Sequence, residues 1–379
     1  MTIHTAGDTA EHAARTTATS PELTEEAIGA FADRVLASVL GALDVLTIHI
    51  GDQLGLYDLL HRRGPLDVAE VADASGIHPR YAREWLEQQA VAGIVEVLDP
   101  TVTADQRRYW LSEAHAAVLS DRDSLAYATP FARMVAAAAV RLPQLMDAYR
   151  TGGGVSWDEF GELMRTAQAD ANRPLFLQVL GSDWLPSVPG LDAVLRDRGR
   201  VADIGCGEGW SSIGIARAYP AVTVEGYDVD ADSVEAARRH AAAEGLGDRV
   251  RFTLVDASSV PAAGEYDLVA AFECIHDMPD PVGVLRTAHR MVKPGGTVLV
   301  MDERVPATFT GPGDSVEQLM YGISMLVCLP DGLSHSGSVG TGTVMRPDTL
   351  RRYARDAGFD DIEILPIEHD MFRFYRLLG

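Results

Sequence analysis

Residues 201–212 read Val201-Ala202-Asp203-Ile204-Gly205-Cys206-Gly207-Glu208-Gly209-Trp210-Ser211-Ser212: a strand, a glycine-rich turn and the start of a helix. Glycines at 205, 207 and 209 allow positive φ and a close approach of backbone to ligand. The spacing is G-x-G-x-G, whereas the dinucleotide fingerprint is G-x-G-x-x-G. Asp203, two residues before the first glycine, would repel a pyrophosphate and suits a cationic, amine-bearing ligand. A plain tight turn is the alternative. The next strand ends in Glu225-Gly226-Tyr227-Asp228-Val229-Asp230. A carboxylate there can accept hydrogen bonds from both ribose hydroxyls of an adenosine. Asp228 is placed for this, and Asp230 is placed to cap the helix that follows. The third strand ends in Val255-Asp256-Ala257. Asp256 can accept from an adenine amino group, and Ala257 keeps the edge of the ring clear. Each acid alone is an ordinary cap or turn residue; three at successive strand ends, in this order, fit an adenosine better.

The elements that must position these acids are legible from Arg200 onward. Short β-rich runs (Val201–Ile204, Val222–Tyr227, Arg251–Val255, Asp267–Phe272, Thr297–Met301) alternate with helical runs (Trp210–Tyr219, Ser233–Glu244, Pro281–Val292). That rhythm predicts an α/β, Rossmann-like doubly wound domain, a parallel sheet with helices on both faces. Before it, residues 64–118 read as two helices and a β-hairpin, a winged helix. The helix from Pro79 carries Glu84 and Glu87 against Arg83, a poor match for a DNA groove, so dimerisation and covering of a substrate are the expected roles. Glu25 to Leu60 is helical with a possible break; Ala27, Phe31, Val35, Val39 and Leu43 form an apolar stripe that a partner chain could cover. The expected organisation is a disordered tail at 1–22, a helical and winged-helix dimerisation domain at 23–120, a helical linker or lid at 121–190, including Met134 to Met146 and Phe160 to Leu180, and a cofactor domain at 191–379.

On these motifs, residues 200–305 resemble the class I, Rossmann-like S-adenosylmethionine-dependent methyltransferases. Lys293-Pro294-Gly295-Gly296 followed by Thr297–Met301 resembles the family's turn into strand five. With the winged helix in front, the chain resembles caffeic-acid-type and bacterial tailoring O-methyltransferases. It is similar along nearly its whole length to a group of actinobacterial and animal methyltransferases whose runs look like Asn172-Arg173-Pro174 and Gly209-Trp210-Ser211-Ser212. The resemblance implies S-adenosyl-L-methionine as cofactor, bound by Asp203, Gly205, Gly207, Gly209, Trp210, Asp228, Val229, Asp256, Ala257 and Glu273. It also implies a homodimer and a small-molecule methyl acceptor from secondary metabolism.

After strand four comes Glu273-Cys274-Ile275-His276-Asp277-Met278. The resemblance places a general base at His276, followed by Asp277, with Asp302 at the end of strand five to orient it. A second acidic partner expected farther along is missing; Met345 stands near that place. The chemistry is sound on its own terms. A phenol has a pKa of about 10, and a positioned base that removes its proton supplies about 100- to 10,000-fold in rate. The alternative is a metal held by His276, Asp277 and His335, for C-methylation. A cofactor-dependent enzyme that does not methylate and a winged-helix transcription regulator are further alternatives. Trp157, Phe160, Trp184, Met320, Tyr321 and Met325 are candidate acceptor contacts or, equally, core.

Composition narrows the classes. The 379 residues carry a formal net charge of -23, and Lys293 is the only lysine. Such a balance disfavours nucleic acid and anionic membrane as partners. Cys206, Cys274 and Cys328 are too few and too scattered for a disulfide framework or a zinc knuckle. No uninterrupted apolar run reaches the roughly 18–20 residues of a membrane span, and the N-terminus lacks the apolar core of a signal peptide. A cytoplasmic location is expected.

Overall fold

The computed structural model describes residues 24–261 and 263–379; the expected tail at 1–22 lies outside the described residues. Two compact units divide between Asp44 and Val45. Helix α1 (Glu25–Gln53) is unbroken, and the chain turns only at Gly55, in the left-handed conformation before α2 (Leu56–Arg63). One expectation needs correction here. By length and composition α1 is apolar enough to cross a membrane, because Asp44 is the one charged residue between Val35 and Gly51. Its Ile28, Phe31, Val35, Leu36, Val39, Leu40 and Leu43 side chains are exposed.

The winged-helix segment follows. A reciprocal capping box of Asp67 and Glu70 starts α3 (Val68–Ser75). Pro79 starts α4 (Pro79–Val91). Strands β1 (Glu96–Val97) and β2 (Tyr109–Trp110) pair antiparallel as the wing, and α5 (Glu113–Leu119) follows. Leu56, Leu60, Val71, Leu86 and Tyr109 are its core. The middle region is α6 (Thr129–Val140), α7 (Leu142–Thr151) and α8 (Trp157–Gln178). The single helix expected over Met134–Met146 is two, divided at Arg141, with Pro143 in the first turn of α7. Gly161 interrupts α8 with φ 79° and ψ −171°.

The remaining elements are α9 (Leu191–Arg198), β3 (Arg200–Ile204), α10 (Trp210–Ala218), β4 (Thr223–Asp228), α11 (Ala231–Ala243), β5 (Val250–Leu254), β6 (Tyr266–Phe272), α12 (Pro281–Met291), β7 (Val292–Glu303), α13 (Ser315–Ile323), α14 (Leu329–Ser334), α15 (Pro347–Ala357), β8 (Asp361–Ile364) and β9 (Phe372–Leu378). The sheet order is β5-β4-β3-β6-β7-β9-β8. The first five strands are parallel, as the alternating pattern predicts. β9 enters antiparallel between β7 and β8, so the sheet is mixed. The expected turn at 293–296 is a bulge within β7, where Val292 pairs with Tyr266 and Thr297 with Leu268. Apolar clusters pack on both faces, around Val201, Leu268 and Phe374 on one and Ala202, Val269 and Tyr375 on the other. The order reverses between β3 and β6, and open α/β sheets bind ligands at such a switch point, off the carboxyl ends of the strands.

Candidate active site

A cavity of about 960 Å³ opens at that switch point. Its floor is the β3–α10 turn. Gly205, Gly207 and Gly209 all have positive φ there. A Cβ on Gly205 would meet Cys274 at 2.7 Å, whereas one on Gly207 meets no protein atom within 4 Å. The backbone at Gly207 therefore faces space that a ligand can take. Its N–H donates to Asp228 Oδ2 at 2.8 Å, and the Asp230 N–H donates to Asp228 Oδ1 at 2.9 Å. Burial pushes the Asp228 carboxyl above its usual range. Asp230 caps α11 through Ser233 N–H, as expected. Val229, Asp256 and Ala257 line the next stretch of wall. A half-buried carboxylate beside an open glycine cradle, followed by Asp256 and Ala257, fits an adenosine-bearing cation.

Asp203 departs from the expectation. It does not line the cavity; its Oδ2 accepts the hydroxyls of Ser211 and Ser212, each at 2.6 Å. Burial raises its pKa to about 6. The carboxyl is turned under the start of α10 and fixes the glycine turn from behind. Trp210 reaches the cavity wall, its ring stacked on His240 at 4.5 Å and overlaid by the Arg173 guanidinium. Glu273 lines the cavity with φ 50°, the one positive φ among the described non-glycine residues. Asn172 Nδ2 donates to its carboxyl, and burial raises its pKa to about 7. A strained carboxyl at a strand end is the kind of feature that functional sites retain.

Beyond Glu273, at the carboxyl ends of β6 and β7, the sequence-predicted His276 and Asp302 come together. His276 Nδ1 lies 2.9 Å from Asp302 Oδ1, with both side chains buried. His276 lines the cavity and Asp302 stands behind it. Nε2 lies 3.2 Å from Asp277 Oδ1, and Glu303 Oε2 lies 3.1 Å from Nδ1. No acid stands at the place expected farther along the chain, where Met345 is a buried core residue; Glu303, next to Asp302, brings a second carboxyl to the same ring nitrogen. Burial works against charge on the ring, but Asp277, Glu303 and Asp302 outweigh it and raise the His276 pKa well above its usual range. Burial pushes Asp302 up, yet His276 and the bonds from Glu303 hold it low. Burial, joined by repulsion from Asp302, drives Glu303 well up.

The metal set of His276, Asp277 and His335 is not assembled. The ligand atoms within 4.8 Å of one another are those of His276, Asp277 and Cys328, or of His276, Asp302 and Glu303. His335 lines the cavity at the end of α14 but joins neither group; Cys328, just before α14, stands by His276 and Asp277 instead. Burial raises the Cys328 thiol to about 12 and the Asp331 carboxyl to about 7.

Of the expected acceptor contacts, Trp157 and Met320 line the cavity. Phe160 and Trp184 are core: Phe160 packs with Met134 and Met164, and Trp184 against Phe374 at 4.9 Å. Tyr321 and Met325 are largely exposed, on sides of their helices turned from the cavity. The wall also holds Phe131, Met134, Gln168, Leu326, Cys328 and Asp331. Helical spacing alone could not tell these from ordinary core, since a cavity wall and a core share one apolar pattern.

Comparison with known proteins agrees with the fold. Residues 201–296 match a family model described as a methyltransferase domain, and residues 41–121 match one described as an Rv2258c-like winged HTH domain. The chain is 33% identical over 150 residues to 27-O-demethylrifamycin SV methyltransferase of Amycolatopsis mediterranei; the match covers 38% of this chain and 55% of that one. It is 31% identical over 199 residues to ubiquinone biosynthesis O-methyltransferase of Bordetella avium, covering 52% of this chain and 76% of that one. Its fold matches human N-acetylserotonin methyltransferase in complex with S-adenosylmethionine, with TM-score 0.67 and 20% identity over 95% of this chain and 99% of that one. The chain belongs to the S-adenosylmethionine-dependent methyltransferases, with a class I catalytic domain preceded by a winged-helix segment.

Proposed function

We propose that the enzyme methylates an oxygen of a small organic acceptor, with His276 as general base and Asp302 as the residue that orients it. The observation that carries this reading is the 2.9 Å contact between His276 Nδ1 and Asp302. It leaves Nε2 on the side of Asp277, 3.2 Å away, where an acceptor hydroxyl would take the place of that carboxylate. Relatives named as O-methyltransferases support oxygen as the atom methylated. S-adenosylmethionine, when bound, supplies an electrophilic methyl group. Gly205, Gly207, Asp228, Asp256 and Ala257 would hold it, and the acceptor would lie between Trp157, Met320 and His276. The acceptor proton would pass to Nε2 as its oxygen takes the methyl group and the carbon–sulfur bond breaks to leave S-adenosylhomocysteine, and Asp302 would stabilise the resulting imidazolium.

Metal-assisted C-methylation is the second reading, favoured by the closeness of His276, Asp277 and Cys328. We further assign 23–120 to dimerisation, 121–190 to a helical lid region and 191–379 to the catalytic domain. Exposed apolar side chains along α1 support a homodimer, and the acidic charge supports a cytoplasmic location.

A screen of metabolite extracts with methyl-labelled cofactor tests the reaction. Products carrying a methyl ether or methyl ester are expected. A product labelled on carbon, with no O-methyl product, would reject the oxygen reading.

A further inference from the structure

The Arg165 side chain in α8 is buried among three carboxylates that belong to different parts of the site. Its Nε donates to Asp230 Oδ2 at 2.8 Å and its Nη2 to Asp230 Oδ1 at 3.2 Å, a two-pronged grip. The same Nη2 donates to Asp158 Oδ1 at 2.8 Å, and Nη1 lies 3.3 Å from Asp232. Asp230 is the residue whose N–H holds Asp228 Oδ1, and Asp228 in turn holds Gly207. Asp158 belongs to the other side of the cavity. It sits in the first turn of α8 with Trp157, both lining the wall, and Gly161 separates that turn from the rest of the helix.

The ends of the strap, Val155 and Phe160, are packed in the core, and Trp157 and Asp158 between them are held by few bonds. Val155 N–H donates to Pro330 O at 3.1 Å, and Trp157 N–H to Asp331 Oδ1 at 2.7 Å. A side chain on Gly154 would collide with Pro330 and Ser334, so the segment 154–160 lies directly against the start of α14. Gly161, at φ 79°, takes a conformation that other residues rarely adopt and can serve as its hinge.

The two ends of the Arg165 bridge differ in strength. The Asp230 end is buried and bidentate. The Asp158 carboxylate is 85% exposed, and an exposed pair is weak and easily exchanged for water. We propose that Arg165 is a positioning residue that couples cofactor occupancy to the strap formed by residues 154–160. Ribose bound at Asp228 steadies the Asp228–Asp230 turn and the guanidinium. The guanidinium then holds Asp158, and with it Trp157, over the acceptor end of the cavity. The acceptor pocket is completed only after the cofactor is in place, and the coupling is reciprocal. This inference rests on the assignment of Asp228 to the ribose.

Hydrogen exchange of the full chain, with and without saturating S-adenosylhomocysteine, tests it. In the wild type the ligand should slow exchange at 205–209 and 228–232, and at 154–162 by about tenfold. In Asp158→Asn, an exposed change that leaves the core intact, affinity for S-adenosylhomocysteine should fall by no more than about tenfold, the reciprocal of the lost coupling. The protection of 154–162 should be lost. Arg165→Gln should lose it too, and should bind the ligand about tenfold more weakly; Arg165→Lys should regain part of the protection. Protection at 205–209 and 228–232 without protection at 154–162 in the wild type would overturn the coupling and spare the ribose assignment. So would wild-type strap protection in Asp158→Asn. Absence of protection at 228–232 would overturn the ribose assignment itself.

Discussion

The Nε2 atom of His276 lies 3.2 Å from Oδ1 of Asp277, its neighbour in the chain, while Nδ1 faces Asp302 at 2.9 Å. Both ring nitrogens therefore face carboxylates, and these acids overcome burial to hold the ring protonated well above its usual range. A general base must be neutral to act. Turnover should therefore rise with pH as the ring loses its proton through this elevated pKa. Asp277→Asn removes the acid nearest Nε2, so the rising limb of the kcat–pH profile should move to lower pH. A limb that stays in place would show that another group limits the rate.

The cofactor half of the site was legible because it follows from strand order. Asp228 and Asp256 stand at successive strand ends, and backbone geometry alone fixes where strand ends go. His276 and Asp302 were legible for the same reason, since β6 and β7 are neighbours. Side-chain direction was not. Asp203 turns toward two serines eight and nine residues on, at the start of α10, and nothing in the spacing says whether a carboxyl serves the helix or the ligand. Cys328, Asp331 and Arg165 come from helices whose packing is set by tertiary contacts, so no motif announces them. The β9 insertion was missed because an antiparallel edge hairpin adds no βαβ rhythm.

Cofactor affinity should depend steeply on Asp228. Asp228→Ala should weaken S-adenosylhomocysteine binding by about 1.5–3 kcal/mol, the loss of charged hydrogen bonds. Gly207→Val should weaken it further, because the new side chain would occupy ligand space and the residue has φ 50°. Calorimetry finding the Asp228→Ala affinity unchanged would remove the ribose assignment.

Chelation separates the two chemistries. If His276 is a base, extensive treatment with a chelator should leave turnover unchanged, and Cys328→Ser should retain activity within about tenfold. Loss of turnover on chelation, restored by iron or zinc, would instead establish a metal at His276, Asp277 and Cys328.

The exposed apolar side chains of α1 should be covered by a second copy. Light scattering is expected to give about twice the chain mass. Leu36→Asp with Leu40→Asp should shift the protein to monomer. A wild-type mass equal to one chain would refute the dimer.

His276→Ala gives the most direct measurement of the central claim. The substitution should lower kcat by about 100- to 10,000-fold, the usual contribution of a positioned base. Asp302→Asn should lower it as well, by loosening the ring. Affinity for S-adenosylhomocysteine, measured on the same His276→Ala protein, should remain within about threefold of the wild type, because His276 meets the acceptor and not the adenosine. Wild-type turnover in His276→Ala, with a labelled acceptor found by the extract screen, would contradict the account.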